Sequence, residues 1–148
     1  MKIIKVFTDG ACSGNPGNGG WGVVVINGDE IIKHSGSESE TTNNRMELQA
    51  AIEGIRLAQK NYSLIIYTDS QYVKNGITTW ITGWKNNNWL TSNKKPVKNK
   101  DLWVLLDELN NQQKIEWQWV KAHQTVSDEF SRYNNIADKL ARDAIVNE

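Results

Sequence analysis

Short apolar runs alternate along the chain with stretches in which apolar residues recur every three or four positions. The run Ile3-Ile4-Lys5-Val6-Phe7-Thr8-Asp9-Gly10 predicts a strand that ends on a carboxylate and a turn signal. Residues 21–26 and 30–33 predict two further strands joined at Asn27-Gly28, a strong hairpin signal, so the chain opens as three antiparallel strands. Between the first two, residues 10–20 are dense in glycine, asparagine and proline and predict a loop. Its plainest reading is a hairpin connection, and it lacks the Gly-Lys-Ser/Thr ending of a phosphate-binding P-loop.

Thr41-Thr42-Asn43-Asn44 supplies capping residues, after which Leu48, Ala51, Ile52, Ile55 and Ala58 mark one face of a helix running to about Lys60. Residues 64–70 then repeat the opening design, an apolar run closed by Thr68-Asp69-Ser70. Ser70 caps a short helix that Gly76 closes, and residues 78–88 predict another, with Trp80 and Trp84 at i, i+4 and Trp89 just beyond. Residues 93–99 form a basic loop, and Leu102, Leu105, Leu106 and Leu109 stripe a helix that ends at Asn110-Asn111. Residues 115–120 alternate as a strand from which Lys121-Ala122-His123 departs. Residues 124–133 are polar and predict a mobile connection; Asn134 or Asn135 then caps a last helix carrying Ile136, Leu140, Ala144 and Ile145, with Asp138 in its first turn.

A strand, crossover helix and strand make parallel neighbours. The strands ending in Asp9 and Asp69 then lie side by side, with both carboxylates at the C-terminal edge where open α/β sheets place ligands. A lone carboxylate there costs several kcal/mol unless it is paired, hydrogen-bonded or bound to a metal. Glu47, at the start of the capped helix, either complements the helix dipole or joins the pair. With Asp138, four acids stand at the ends of elements without histidine or thiolate partners, the donor set of a hard cation such as Mg²⁺ or Mn²⁺. Two such ions suit phosphodiester hydrolysis.

Composition narrows the setting. The 148 residues suggest one domain, and 17 basic against 17 acidic residues exclude a globally basic nucleic-acid binder. Charge is nonetheless uneven: residues 70–100 hold six lysines and no acid, interleaved with Trp80, Trp84 and Trp89. That face reads either as core anchors beside a solvated surface or as a surface for sugars, bases and phosphates. Cys12 is the only cysteine, and with no signal peptide or long apolar stretch the expected setting is the cytoplasm.

Six stretches in order resemble bacterial type 1 ribonuclease H over essentially the whole length. They are Phe7-Thr-Asp-Gly-Ala-Cys-Ser-Gly-Asn-Pro-Gly17, Thr41-Thr-Asn-Asn-Arg-Met-Glu-Leu48, Thr68-Asp-Ser-Gln-Tyr-Val73, Lys94-Lys-Pro-Val-Lys-Asn-Lys-Asp-Leu-Trp103, Trp119-Val-Lys-Ala-His123 and Ala137-Asp-Lys-Leu-Ala-Arg142. The resemblance implies a ribonuclease H-like α/β fold, a mixed sheet of three antiparallel then two parallel strands flanked by helices. It implies a monomer that cuts the RNA strand of an RNA–DNA hybrid, leaving a 5′-phosphate and a 3′-hydroxyl, with two Mg²⁺ ions, or Mn²⁺, when substrate is bound. By position Asp9, Glu47, Asp69 and Asp138 match the metal-binding acids, and His123 the loop histidine tied to proton transfer or product release. Cys12, Gly14, Asn15, Asn43, Asn44 and Gln71 match minor-groove contacts to the RNA strand. Thr42 and Asn99 match a pocket for a DNA-strand phosphate, and Trp80 and Ser92 a deoxyribose channel beside which Trp84 stands.

The chain departs from the family pattern at Ala122, where glycine is common, and in a longer interval between His123 and Asp138. Asp128 and Glu129 are therefore rivals for the fourth acid. Asn86-Asn87-Asn88 replaces more basic residues, which predicts weaker hybrid affinity and a smaller salt dependence. No hybrid-binding domain precedes Met1, so processivity is expected to be low. Two other readings remain: a non-catalytic nucleic-acid-binding module, and another nuclease or integrase on the same fold.

Overall fold

The structure is a computed structural model that describes residues 3–58, 62–121 and 129–146. Its centre is a five-stranded sheet in the order β3-β2-β1-β4-β5, formed by β1 (Ile3–Cys12), β2 (Gly17–Asn27), β3 (Glu30–Thr41), β4 (Ser63–Thr68) and β5 (Ile115–Trp119). β1–β2 and β2–β3 are antiparallel and β1–β4 parallel, as the sequence pattern predicts, and β4–β5 is parallel, as the family resemblance implies.

Helices cover both faces. On one, Ile4, Val6, Val23 and Ile66 pack with Met46, Leu48 and Ile52 of α1 (Asn43–Leu57). On the other, Phe7, Val24 and Tyr67 pack with Ala137 of α5 (Glu129–Ala144). β1 is buried on both sides, which is why its sequence reads as a continuous apolar run rather than an alternation. Beyond β4 come α2 (Gln71–Asn75), a π-helical turn (Gly76–Trp80), α3 (Ile81–Asn86) and α4 (Lys100–Asn110).

Several boundaries differ from expectation, each for a packing reason. Residues 17–20 belong to β2 rather than to a loop. A Cβ at Gly20 or Gly22 would lie 2.2 Å from the Ala141 carbonyl oxygen or 2.4 Å from that of Ala137, so these glycines let α5 rest directly on the strand. The hairpin turn is Gly28-Asp29, between paired Asn27 and Glu30, with Gly28 at φ 63°. β3 continues from Lys33 to Thr41 as a polar edge strand, a composition that keeps an unpaired edge in water. Gly76 follows the end of α2 as its C-cap, as expected, but at φ −63° and ψ −52° it carries the chain straight on into the π-helical turn, packed against the ring of Trp103.

The last helix also starts earlier than expected. Residues 129–133 are helical, and there the tilted rings of Phe130 and Tyr133 pack against Tyr67 at 4.9 Å and Phe7 at 5.3 Å. Asn134, one of the two expected caps, is buried inside the helix, and Asp138 lies in its third turn rather than its first. Residues 124–128 of the expected mobile connection lie outside the described residues. Among the described residues, no helix is long and apolar enough to cross a membrane.

Candidate functional site

Asp9 and Asp69 are brought together by strand register. Parallel pairing of β1 with β4 ends at Thr8–Thr68, so the two aspartates stand side by side just past the last parallel pair. Asp9 is not at a strand tip as expected: β1 runs on to Cys12, and Asp9 pairs across to Gly22 of β2. Asp69 does follow the end of β4 directly.

Glu47 reaches them from α1. Thr42 caps that helix by accepting from the Arg45 amide at 3.2 Å, and Glu47 lies beyond the first turn with its side chain turned onto the sheet. Dipole complementation therefore does not explain it. The approach depends on Gly10, where a Cβ would fall 2.4 Å from the Glu47 amide nitrogen. Helix backbone rests on strand backbone at this point, which carries the Glu47 side chain to the aspartates.

Asp9, Glu47 and Asp69 each offer a carboxylate oxygen, and these oxygens lie within 4.8 Å of one another. Asp9 is 3% exposed and Glu47 6%. Asp9 Oδ1 accepts from the Gly10 amide at 2.9 Å, but Glu47 Oε1 and Asp69 Oδ1 are buried with no hydrogen-bond partner among the described residues. Burial, then the charge of Asp69, pushes the Asp9 carboxyl up to about 9. Burial followed by the charges of Asp9 and Asp69 likewise raises Glu47 well above the ordinary range. A group of like charges with orphaned oxygens fits a divalent cation, which would supply the missing partners and cancel the repulsion.

The trio opens into a cavity of about 290 Å³ lined also by Gly10, Ala11, Cys12, Asn43, Asp138 and Arg142. Asp138 thus joins the site as expected, but one of its oxygens is held by Arg142 Nε at 3.0 Å. Its rival Glu129 pairs instead with Lys5 at 3.6 Å and does not line the cavity. Asp128 and His123 lie outside the described residues.

The predicted outer residues divide by position. Cys12 and Asn43 line the cavity, and Asn15 Oδ1 accepts from the Asn43 amide at 3.2 Å, which ties the exposed turn containing Gly14 to the start of α1. Asn44 is exposed in the first turn of α1, and Gln71 opens α2. Thr42 and Asn99 are joined through Arg45, whose guanidinium donates to Asn99 at 3.2 Å and grips Asp101 at 3.0 and 2.8 Å. Trp80 remains 41% exposed, whereas Trp84 packs against Trp103 at 5.2 Å and Trp89 at 6.3 Å. Ser92 is exposed, and neither tryptophan nor Ser92 lines the acidic cavity.

Arg45, Arg142 and Trp119 are the neighbours that the sequence pattern did not single out. Arg142 lies one helical turn beyond Asp138, a spacing that signals an ion pair once the helix is known.

Residues 1–146 match the family model of RNase H. The chain belongs to the RNase H family. A Ribonuclease H of Ehrlichia chaffeensis is 53% identical over 146 residues, covering 99% of this chain and 97% of that protein. A Ribonuclease H of Bradyrhizobium sp. (strain ORS 278) is 50% identical over 145 residues, covering 98% and 91%. The crystal structure of LC9-RNase H1, described as a type 1 RNase H with the type 2 active-site motif, superposes with a TM-score of 0.80 at 30% identity, covering 98% of this chain and 72% of that one.

Proposed function

We propose that this RNase H hydrolyses the RNA strand of RNA–DNA hybrids endonucleolytically, leaving a 5′-phosphate and a 3′-hydroxyl. The observation that carries the reading is the Asp9–Glu47–Asp69 trio, two of them buried, which lines an open cavity and holds two orphaned carboxylate oxygens. Full-length kinship to bacterial enzymes named Ribonuclease H supports the substrate. A non-catalytic binding module would gain nothing from buried acids that repel phosphate.

Asp9, Glu47, Asp69 and Asp138 would hold Mg²⁺, with Mn²⁺ as an alternative and two ions when substrate is bound. Divalent cations at such a site neutralise phosphate charge and make an attacking water more acidic. The Gly10 amide orients Asp9, and burial of Asp9 and Glu47 keeps their carboxylates largely out of water. Cys12, Gly14, Asn15, Asn43, Asn44 and Gln71 meet the RNA strand, where a 2′-hydroxyl distinguishes it from DNA. Thr42 and Asn99, braced by Arg45, take a DNA-strand phosphate; Trp80, Trp84 and Ser92 face deoxyribose. His123 serves proton transfer or product release. The enzyme works as a monomer in the cytoplasm.

The test is cleavage of matched RNA–DNA hybrid, double-stranded RNA and double-stranded DNA in Mg²⁺. Cutting of the hybrid alone is expected; equal cutting of double-stranded DNA would refute the reading. A second expectation concerns Gly10→Ala. The added methyl displaces the Glu47 backbone, and a misplacement near 1 Å lowers hybrid cleavage by about 100-fold while circular dichroism remains native. Near-normal cleavage by this variant would show that Glu47 position is unimportant.

A further inference from the structure

A second cavity opens at the same sheet edge on the far side of Asp69. It encloses about 230 Å³ and is lined by Gln71, Lys74, Asn75 and Trp119. The first three stand at i, i+3 and i+4 on α2 and so share one face of that helix. Their side chains make no hydrogen bond or ion pair with the described residues, which leaves an ammonium and two amides free toward the cavity.

The opposite wall is rigid. Trp119 ends β5, pairs with Thr68, and donates its indole N–H to the Asp69 carbonyl oxygen at 3.1 Å. The ring is 39% exposed although its polar atom is satisfied, so what it presents outward is a fixed apolar surface tied to the backbone of a site carboxylate. A point cation, two amides and an indole surface match a phosphate, a ribose hydroxyl and a sugar or base.

Neighbouring strands are roughly 4.8 Å apart, so β5 lies about 10 Å from β1. Two or three nucleotides cover that span at roughly 3.4 Å of rise each. We propose that this cavity is a further substrate subsite: it takes a nucleotide of the RNA strand within about three steps of the scissile phosphate, with Lys74 on its phosphate, Gln71 and Asn75 at its ribose and Trp119 against its sugar or base. The inference rests on the hybrid-cleaving function and adds Lys74, Asn75 and Trp119 to the specificity-determining surface. The plain structural role for Lys74, in the last turn of α2, is to complement the helix dipole.

The experiment uses the full chain with Mg²⁺, as wild type and Lys74→Ala, on a hybrid of fixed sequence. Lys74→Ala is expected to raise KM roughly two- to fivefold with a smaller change in kcat. It should also lower the slope of log KM against log salt by about 0.7 to 0.9, one phosphate contact. Single uncharged methylphosphonate linkages are then placed at each of three positions on either side of the preferred cut. At one position, on one side only, wild type should lose affinity while Lys74→Ala loses no more. An unchanged salt slope, or a Lys74→Ala effect that multiplies equally at every position, overturns the subsite and leaves Lys74 a helix-dipole residue. Failure of wild type to cut the unmodified hybrid would instead sink the functional reading on which the subsite rests.

Discussion

Asp9→Asn is expected to lower hybrid cleavage by about 1,000-fold or more and, in the absence of divalent metal, to make the protein more stable. The two effects share a cause. Asp9 is buried, opposes Asp69 and Glu47, and has its carboxyl pushed up to about 9. In the unfolded chain the same group ionises near 3.9. Below about pH 4 both states hold the proton and the group carries no penalty. As pH rises toward about 9, the unfolded state ionises while the folded state retains its proton, so metal-free stability falls across that window. Glu47, raised for the same reasons, contributes in the same direction. An amide at position 9 keeps the shape and is neutral without taking up a proton on folding, for a gain on the order of 2 kcal/mol at neutral pH. Thermal melts in EDTA from pH 5 to 8 should show wild type losing stability more steeply than Asp9→Asn. A variant that unfolds, with no loss specific to chemistry, would make Asp9 a structural residue.

Metal removal is the second large effect. EDTA should abolish cleavage and also lower the melting temperature, because a cation bound only by the folded state stabilises it by about 2.7 kcal/mol at 100 times its dissociation constant. Glu47→Gln should blunt this Mg²⁺-dependent rise, since Glu47 Oε1 is one of the two orphaned oxygens of the trio. Equal Mg²⁺ shifts in wild type and Glu47→Gln would place the ion elsewhere.

The pair Asp9 and Asp69 was legible because a charge closing an apolar run is anomalous, and the anomaly occurs twice around a crossover helix. Glu47 was not decided by its own neighbourhood, where an acid near a helix start reads first as complementing the dipole. What separates them is Gly10, a residue that looks like loop punctuation but is where helix and strand backbones touch. Gly20 misled for the same reason: read as loop, it serves with Gly22 a helix that packs from more than a hundred residues away. The early turns of α5 were hidden because Phe130 and Tyr133 are isolated aromatics in a polar stretch, and only the packing of Tyr133 on Phe7 and of half-exposed Phe130 on Tyr67 ties them to the sheet. Polar β3 was missed beyond Lys33 because an edge strand needs no apolar alternation. Arg142 acquires meaning only once the helix that pairs it with Asp138 is known to reach the site, and Trp119 only from a tertiary neighbour, the Asp69 carbonyl at the end of the adjacent strand.

The most direct measurement labels each strand of one RNA–DNA hybrid separately and follows both in Mg²⁺ and in EDTA. Cutting confined to the RNA strand, present with Mg²⁺ and absent in EDTA, is the predicted result. Cleavage of the DNA strand, or RNA cleavage that persists in EDTA, would contradict a carboxylate-held metal centre selective for hybrids.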